Sequence, residues 1–113
     1  MTKIANYIDG KIIAPVGGNY LDNYQPATGK VYAHIPDSDE KDVELAYAAA
    51  KKAFPGWSTT SKDERSRILL KIADLIDQNL DRFALAESIY NFKQVKLDKS
   101  VDIPRASSNI RFF

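Results

Sequence analysis

The strongest structural signal in this 113-residue chain is the segment Ser61-Lys62-Asp63-Glu64-Arg65-Ser66-Arg67-Ile68-Leu69-Leu70-Lys71-Ile72. Ser61 and Glu64 have the spacing of a capping box, in which each side chain binds a free backbone N–H group of the other residue. Apolar residues then recur at helical spacing: Ile68, Leu69, Ile72, Leu75, Ile76, Leu80 and Phe83. The pattern predicts one helix from Ser61 to about Ile89. If Leu75 is fully buried there, Leu75→Ala costs about 2–5 kcal/mol.

An earlier helix is predicted on the amino-terminal side of this segment. Its start carries acidic residues, which suit free N–H groups and the positive end of the helix dipole: Asp37, Asp39, Glu40, Asp42 and Glu44. An apolar stripe follows, formed by Val43, Ala46, Tyr47, Ala50 and Phe54. Pro55-Gly56 is predicted to stop the helix. We interpret the acids as a solvated helix start, because they lack the glycine turn and alternating ligands of a calcium loop.

Short strands are predicted over about residues 4–36. Asp9-Gly10 separates two apolar runs and is typical of a two-residue hairpin, because a type I′ turn needs positive φ at both central residues. Alternating residues predict two further strands, at 20–24 and 31–35, joined by a turn at Pro26-Ala27-Thr28-Gly29. Gly17-Gly18 is also assigned to a turn, because it belongs to no phosphate-cradling pattern.

A third helix is predicted from about Asp98 to the end of the chain, with Pro104 inside it. Proline lacks a backbone N–H and clashes with the preceding turn, so a kink or a late helix start is expected. Helices therefore occupy about residues 37–113, and the predicted fold class is α+β.

Composition excludes several classes of protein. Sixteen Lys and Arg residues against fifteen Asp and Glu give a net charge of +1, so no broad positive field attracts nucleic acid or an anionic membrane. The chain has no cysteine, which excludes a disulfide, a thiolate metal site and a cysteine nucleophile within it. No apolar run approaches the roughly 20 residues that span a bilayer. We expect a cytoplasmic protein that binds neither nucleic acid nor membrane.

Few residues stand out as candidates for chemistry. His34, the single histidine, lies on a predicted strand with no acidic or hydroxyl partner evident from spacing, so a surface or packing role is expected. A basic stripe could bind an anion, although a solvated helix face is the favoured interpretation: Lys93, Lys96, Lys99, Arg105 and Arg111. The residues alone therefore predict no catalytic, cofactor-binding or metal-binding site.

Four motifs, taken in order, resemble the amino-terminal portion of the aldehyde dehydrogenase superfamily. They are Tyr7-Ile8-Asp9-Gly10-Lys11, Gln25-Pro26-Ala27-Thr28-Gly29-Lys30-Val31, Ala48-Ala49-Ala50-Lys51-Lys52-Ala53-Phe54-Pro55-Gly56-Trp57, and Glu64-Arg65-Ser66-Arg67-Ile68-Leu69 with Ala73-Asp74-Leu75-Ile76. Residues 1–113 are therefore expected to be the amino-terminal portion of such a domain. The resemblance implies NAD(P)-dependent oxidation of an aldehyde to an acid, by a cysteine nucleophile and a glutamate general base.

The resemblance places this chemistry beyond Phe113, where the family carries its cysteine, glutamate, oxyanion-hole asparagine and nucleotide loop. The chain alone is therefore expected to be an inactive fragment that binds no NAD or NADP. The complete protein is expected to act on an aldehyde and to form a homo-oligomer. Two alternatives stay open: a small helical interaction module that reuses this scaffold, and a nonfunctional gene fragment.

One branch of the family is closer than the others. Two segments resemble the muconic-semialdehyde dehydrogenases: Val101-Asp102-Ile103-Pro104-Arg105 and Asn109-Ile110-Arg111-Phe112-Phe113. This implies that Arg105 faces the substrate mouth and holds a substrate carboxylate, since the planar donors of guanidinium match carboxylate geometry in pairs. The other interpretation is a surface arginine on a helix.

One segment, Ile89-Tyr90-Asn91-Phe92-Lys93-Gln94, departs from the family pattern Leu-Asp-Asn/Thr-Gly-Lys-Pro. Tyr90 stands where the family has an aspartate that commonly helps to bind a structural monovalent cation. A neutral phenol is a poor ligand for a hard cation. Phe92 replaces the glycine and Gln94 replaces the proline, so this cation site is expected to be altered.

Overall fold

A computed structural model describes residues 2–91 and 94–113 of the chain, and Phe92 and Lys93 lie outside them. Five strands come first: β1 (Thr2–Lys3), β2 (Asn6–Ile8), β3 (Lys11–Ile13), β4 (Tyr20–Gln25) and β5 (Lys30–Pro36). The helices follow: α1 (Glu40–Thr59), α2 (Lys62–Gln78), α3 (Leu80–Asn91), the short turn α4 (Val95–Leu97), a π-helical segment (Asp98–Asp102) and α5 (Ile103–Phe112). This order confirms the predicted α+β class.

The chain divides into two compact units. The first contains Met1–Tyr24 and Gly29–Thr59, and the second contains Gln25–Thr28 and Thr60–Phe113. The strands and α1 thus belong mainly to the first unit, and the remaining helices belong to the second. Within residues 2–91 and 94–113, no helix has the length and apolar character needed to cross a membrane.

The predicted hairpin is present, as strands β2 and β3 pair in antiparallel register. The φ angles of Asp9 and Gly10 are 52° and 74°, so both central residues adopt the left-handed conformation that the turn requires. A separate three-stranded sheet has the order β1-β5-β4. Its strand β1 lies parallel to β5, with Lys3 beside His34. The sequence did not predict β1, because two residues carry no alternating pattern.

Helix α1 begins at Glu40 and runs through Pro55, so the predicted stop at Pro55-Gly56 is wrong. Proline removes only its own backbone donor, so the other hydrogen bonds of the helix can continue past it. Side-chain hydroxyls then bind a carbonyl of the last turn. The hydroxyl groups of Ser58 and Thr59 donate to the Pro55 carbonyl at 3.1 and 3.0 Å. The helix consequently ends at Thr59.

The long helix predicted from Ser61 to about Ile89 is divided at Asn79 into α2 and α3, so its predicted continuity is wrong. The amide of Asn79 donates to the Leu75 carbonyl at 2.8 Å, which competes with the regular helical bonds. Only half of the predicted capping box forms. The Ser61 hydroxyl accepts the N–H of Glu64 at 3.2 Å, but the Glu64 carboxylate binds Arg67 at 2.6 and 2.8 Å instead of reaching back.

A kink or a late start was expected for the third helix, but the helical backbone begins at Val95 and continues through the π-helical segment into α5, so the start is not late. The N–H of Ile103 donates to the carbonyl of Asp98, five residues earlier, which widens the turn into a π-helical segment. Pro104 then lies in the first turn of α5, where a missing N–H costs little.

Small residues form the buried core. The apolar residues that are fully enclosed are Ala33, Ala73 and Ala84, and Ser107 is 5% exposed. Leu75, in contrast, is 45% exposed. The loss of stability expected for Leu75→Ala at a fully buried position therefore does not apply. Helical periodicity identifies the apolar side of a helix, but it does not say whether the same chain covers that side.

Candidate functional site

The second unit contains a charged clamp between α2 and α5. The Arg111 guanidinium donates to Asp77 at 2.6 Å and to Asp74 at 2.9 Å. Ser107, one turn earlier on α5, is nearly buried, and its hydroxyl lies beside Asp77 while it donates to the Pro104 carbonyl at 3.2 Å. These contacts hold α5 against α2.

The clamp is ionised in the folded chain. The Ser107 hydroxyl, followed by the Arg111 guanidinium, holds the pKa of Asp77 below its usual value. Hydrogen bonds to Asp77 and Asp74 raise the pKa of Arg111 in turn. Charged hydrogen bonds of this kind are stronger than neutral ones and fix the orientation of the planar guanidinium.

Arg105 lies on the other side of α5. At about 100° per residue, it is roughly 200° around the helix from Ser107 and about 240° from Arg111. Its side chain is exposed. Within the described residues, Arg105 takes part in none of the ion pairs that bind the helices together. The clamp therefore fixes one side of α5 and leaves the guanidinium of Arg105 available on the other side.

The predicted basic stripe does not act as one anion site. Lys99 pairs with Asp81 of α3 at 2.6 Å, and Arg111 is occupied by the clamp. Lys96 is exposed, and Lys93 lies outside the described residues. Lys99 and Arg111 are thus neutralised by carboxylates. Arg105 is the arginine of the stripe that could still bind an anionic ligand.

His34 has an acidic partner, so the expectation that it lacks one is wrong. Its Nδ1 atom lies 3.0 Å from a carboxylate oxygen of Asp22, on the neighbouring strand β4. The two side chains are 29% and 50% exposed. Strands β4 and β5 are neighbours in one sheet, so this pair depends on a strand register that the sequence spacing alone did not supply.

Asp42 is buried, which corrects its assignment to a solvated helix start. It is 3% exposed and accepts the N–H of Val16 at 2.9 Å, the N–H of Asp39 at 3.1 Å and the amide of Asn6 at 3.2 Å. The Val16 N–H is the main cause that lowers the pKa of Asp42. These bonds attach the start of α1 to the hairpin and its following loop. Asp42 is therefore a structural acceptor.

Neither a group of metal ligands nor a glycine-rich junction between β5 and α1 is found among the described residues. In residues 2–91 and 94–113, no three His, Asp or Glu side chains are grouped as a metal ion would need. Strand β5 runs into α1 through Asp37-Ser38-Asp39, a junction with no glycine and with two carboxylates that repel a pyrophosphate. This junction therefore lacks the glycine-rich turn that binds a pyrophosphate in a dinucleotide fold.

The segment that departs from the family pattern is described in part. Tyr90 lies in the last turn of α3, one residue before its end, and is 39% exposed. The carbonyl of Gln94 accepts the N–H of Leu97 at 2.8 Å as α4 begins. Phe92 lies outside the described residues. The altered cation site remains a prediction.

Comparison with known proteins decides the family. Residues 13–113 match the sequence model of the aldehyde dehydrogenase family. The chain belongs to that family. It is 46% identical over 110 residues to the 2-aminomuconic semialdehyde dehydrogenases of Bos taurus and Homo sapiens, which covers 97% of the chain and 22% of each relative. The family resemblance, including its semialdehyde branch, is thus confirmed.

Solved structures agree with this assignment. The chain superimposes on PnpE in complex with nicotinamide adenine dinucleotide with a TM-score of 0.94 at 36% identity, covering 96% of the chain and 22% of that structure. For the NAD⁺ complex of the aldehyde dehydrogenase from Bacillus cereus, the TM-score is 0.93 at 30% identity, with 97% and 23% covered. The chain matches the amino-terminal part of these enzymes and spans about a fifth of their length.

Proposed function

We propose that this chain is the amino-terminal part of an NAD(P)-dependent aldehyde dehydrogenase that oxidises a carboxylated semialdehyde, and that Arg105 binds the substrate carboxylate. The observation that carries the proposal is an exposed arginine on a helix fixed from its opposite side by Arg111. Two relatives at 46% identity are named for 2-aminomuconic semialdehyde, which supports a substrate with both an aldehyde and a carboxylate.

The chemical step requires residues that this chain does not supply. With no cysteine in its 113 residues, it has no thiolate to attack an aldehyde. In the proposal the nicotinamide cofactor, NAD or NADP, accepts the hydride and is held by residues beyond Phe113. The contribution of this chain is positional, because Arg105 orients the substrate through its carboxylate while the aldehyde end reacts elsewhere.

The rest of the proposal follows from the family. We place the complete protein in the cytoplasm, as a homo-oligomer that acts on a small aldehyde and binds neither nucleic acid nor membrane. The 113-residue chain alone is expected to reduce no NAD with any aldehyde, above a buffer control, in an absorbance assay for NADH.

A chimaera tests the role of Arg105. This chain replaces the matching 110 residues of the Bos taurus relative, and the product is assayed with a carboxylated semialdehyde and with an uncharged aldehyde of similar length. Arg105→Gln should raise KM for the carboxylated substrate about tenfold to a hundredfold, the range of a lost charged hydrogen-bond pair. It should leave kcat and the uncharged substrate nearly unchanged.

Two variants complete this test. Arg105→Lys retains the charge but not the paired donors and should recover part of the loss. Arg82→Gln removes an exposed arginine on α3 and should change neither substrate. If Arg105→Gln affects both substrates equally, Arg105 does not bind the carboxylate and acts only on the structure.

A further inference from the structure

Asp77 of α2 meets α5 at two positions. Its carboxylate accepts the Arg111 guanidinium at 2.6 Å, and the hydroxyl of Ser107 lies beside it. Asp74, the other acid of the clamp, is bound by Arg111 at 2.9 Å. Ser107 and Arg111 are four residues apart, about 6 Å along the axis of α5 and about 40° around it. The two contacts of Asp77 therefore lie on one side of α5, one turn apart.

The short side chain of Ser107 makes its contact with Asp77 sensitive to the rotation of α5. An arginine side chain has several rotatable bonds, so Arg111 alone could keep its partner while the helix turned. A serine hydroxyl is attached directly to Cβ, so its position follows the position of the helix backbone. Asp77 thus holds α5 by one long side chain and by one that allows little rotation.

The rest of the contact between α2 and α5 involves small side chains. Ala73 on α2 and Ser107 on α5 are almost fully enclosed, at 0% and 5% exposure. Apolar contacts have no preferred direction, whereas hydrogen bonds do. Small enclosed residues therefore bring the two helices close together, and Asp77 supplies the directional part of their packing.

The chain before α5 is held by a different helix. In the π-helical segment, the N–H of Ile103 bonds to the carbonyl of Asp98, five residues earlier, so the regular α-helical ladder is interrupted there. Lys99, within that segment, pairs with Asp81 of α3 at 2.6 Å. The segment before α5 is thus anchored to α3, and α5 itself is anchored to α2. The rotation of α5 is determined at α2, where Asp77 lies.

A small rotation of α5 is enough to displace Arg105. Side chains extend to about 5–6 Å from the axis of a helix, so a rotation of about 10° moves the end of one by about 1 Å. Paired hydrogen bonds from a guanidinium to a carboxylate need two distances of about 2.7–2.9 Å at the same time. A displacement of about 1 Å breaks such a pair, and misplacement of that size can have large kinetic effects.

From these contacts we infer that Asp77 is a positioning residue: by holding Ser107 and Arg111, it sets the rotation of α5 and directs Arg105 toward the substrate carboxylate. This role rests on the proposed function, in which Arg105 binds that carboxylate. Asp77 itself does not touch the substrate. Its effect is on the preference for a carboxylated aldehyde, and one rigid helix transmits it.

The chimaera described above also tests this role, with the same two substrates. Asp77→Asn keeps the size of the side chain and removes its charge. It should raise KM for the carboxylated semialdehyde about threefold to tenfold, less than the loss of Arg105 itself, and leave kcat and the uncharged aldehyde nearly unchanged. Asp77→Glu keeps a carboxylate and should recover part of the loss. Asp63→Asn removes an exposed acid near the other end of α2 and should change neither substrate.

Two further variants separate positioning from a loss of stability. Arg111 and Asp77 are 38% and 48% exposed, so their pair contributes only modestly to folding, and Asp77→Asn is expected to fold. Ser107→Ala keeps a small enclosed side chain, removes the hydroxyl beside Asp77, and should raise the same KM about twofold to threefold. The double variant Asp77→Asn with Arg105→Gln should have the KM of Arg105→Gln alone, because Asp77 then has no arginine to direct.

The results distinguish the positioning role from the proposed function. If Arg105→Gln alone shows no preference between the substrates, the proposed function fails and the role of Asp77 fails with it. If Arg105→Gln is selective but Asp77→Asn and Ser107→Ala leave KM unchanged, only the positioning role is overturned. Equal effects of Asp77→Asn on both substrates, or additive effects in the double variant, would also overturn it, since Asp77 would then act independently of Arg105.

Discussion

Replacing Ala73 with leucine tests the packing of α5 on α2. Ala73 is fully enclosed, and it lies about 40° around α2 from Asp77, the residue that binds Arg111 of α5. Its methyl group therefore faces α5. Leucine adds three carbon atoms where the structure has no space, and overpacking of this kind costs about 1–3 kcal/mol. In a chain of this size, each kcal/mol lowers Tm by about 4–8 °C.

Urea and thermal unfolding followed by circular dichroism would measure this cost. The matched control is Ala106→Leu, which makes the same change at an exposed position of α5 and should shift the free energy of unfolding by no more than about 0.5 kcal/mol. If the unfolding midpoints of Ala73→Leu equal those of the Ala106→Leu control, the reasoning is refuted. That result would mean that α5 does not pack on α2 in solution.

Three further predictions address the hairpin, a half-exposed leucine and acid stability. Gly10→Val should destabilise the chain by about 1–2 kcal/mol, because φ is 74° at this position, and Lys11→Val, a neighbouring change at ordinary φ, is the control in urea unfolding. Leu75→Ala should cost only about 1 kcal/mol in the same assay, since the side chain is 45% exposed and leaves no closed cavity. The pKa values of Asp42 and Asp77 are lowered in the folded chain, so the unfolded chain binds these protons first. Their stabilisation is present above about pH 4 and is lost as the pH falls below it. Asp77→Asn should therefore flatten the fall in Tm between about pH 5 and pH 3, and an unchanged slope would contradict this assignment.

Local signals predicted most of the secondary structure. Asp9-Gly10 was sufficient for the hairpin, because few dipeptides accept two positive φ angles. Pro104 indicated an irregular helix at this point, and the π-helical segment lies directly before the turn that contains it. The Asn79 break and the passage of α1 through Pro55 were not predictable in the same way. The break depends on the Asn79 side chain binding the Leu75 carbonyl, and the continuation depends on how well the last turn of α1 is bonded after Pro55.

Contacts between distant residues were harder to predict than the elements themselves. Asp22 and His34 are twelve residues apart, and Arg111 is 34 and 37 residues from its two carboxylates. Such pairs become visible only when strand register or helix packing is known. Arg105 is the opposite case: its proposed role came from a motif, and that role stays a prediction, because the contacts of the clamp are made by Arg111.

The exposed apolar stripe of α1 shows the difference between an apolar pattern and burial. The alternation of Val43, Tyr47, Ala50 and Phe54 correctly indicated one apolar side of a helix. Burial is a separate question, because the hairpin lines cavities with Leu45, Ala48 and Ala49 and with Val43, and leaves most of the apolar side open. A chain that matches about a fifth of its relatives' length can leave such a side open without any change in its own fold, as the TM-scores of 0.93 and 0.94 indicate. The apolar pattern therefore predicted the helix and its apolar side, but it did not predict the exposure of Val43, Tyr47 and Phe54.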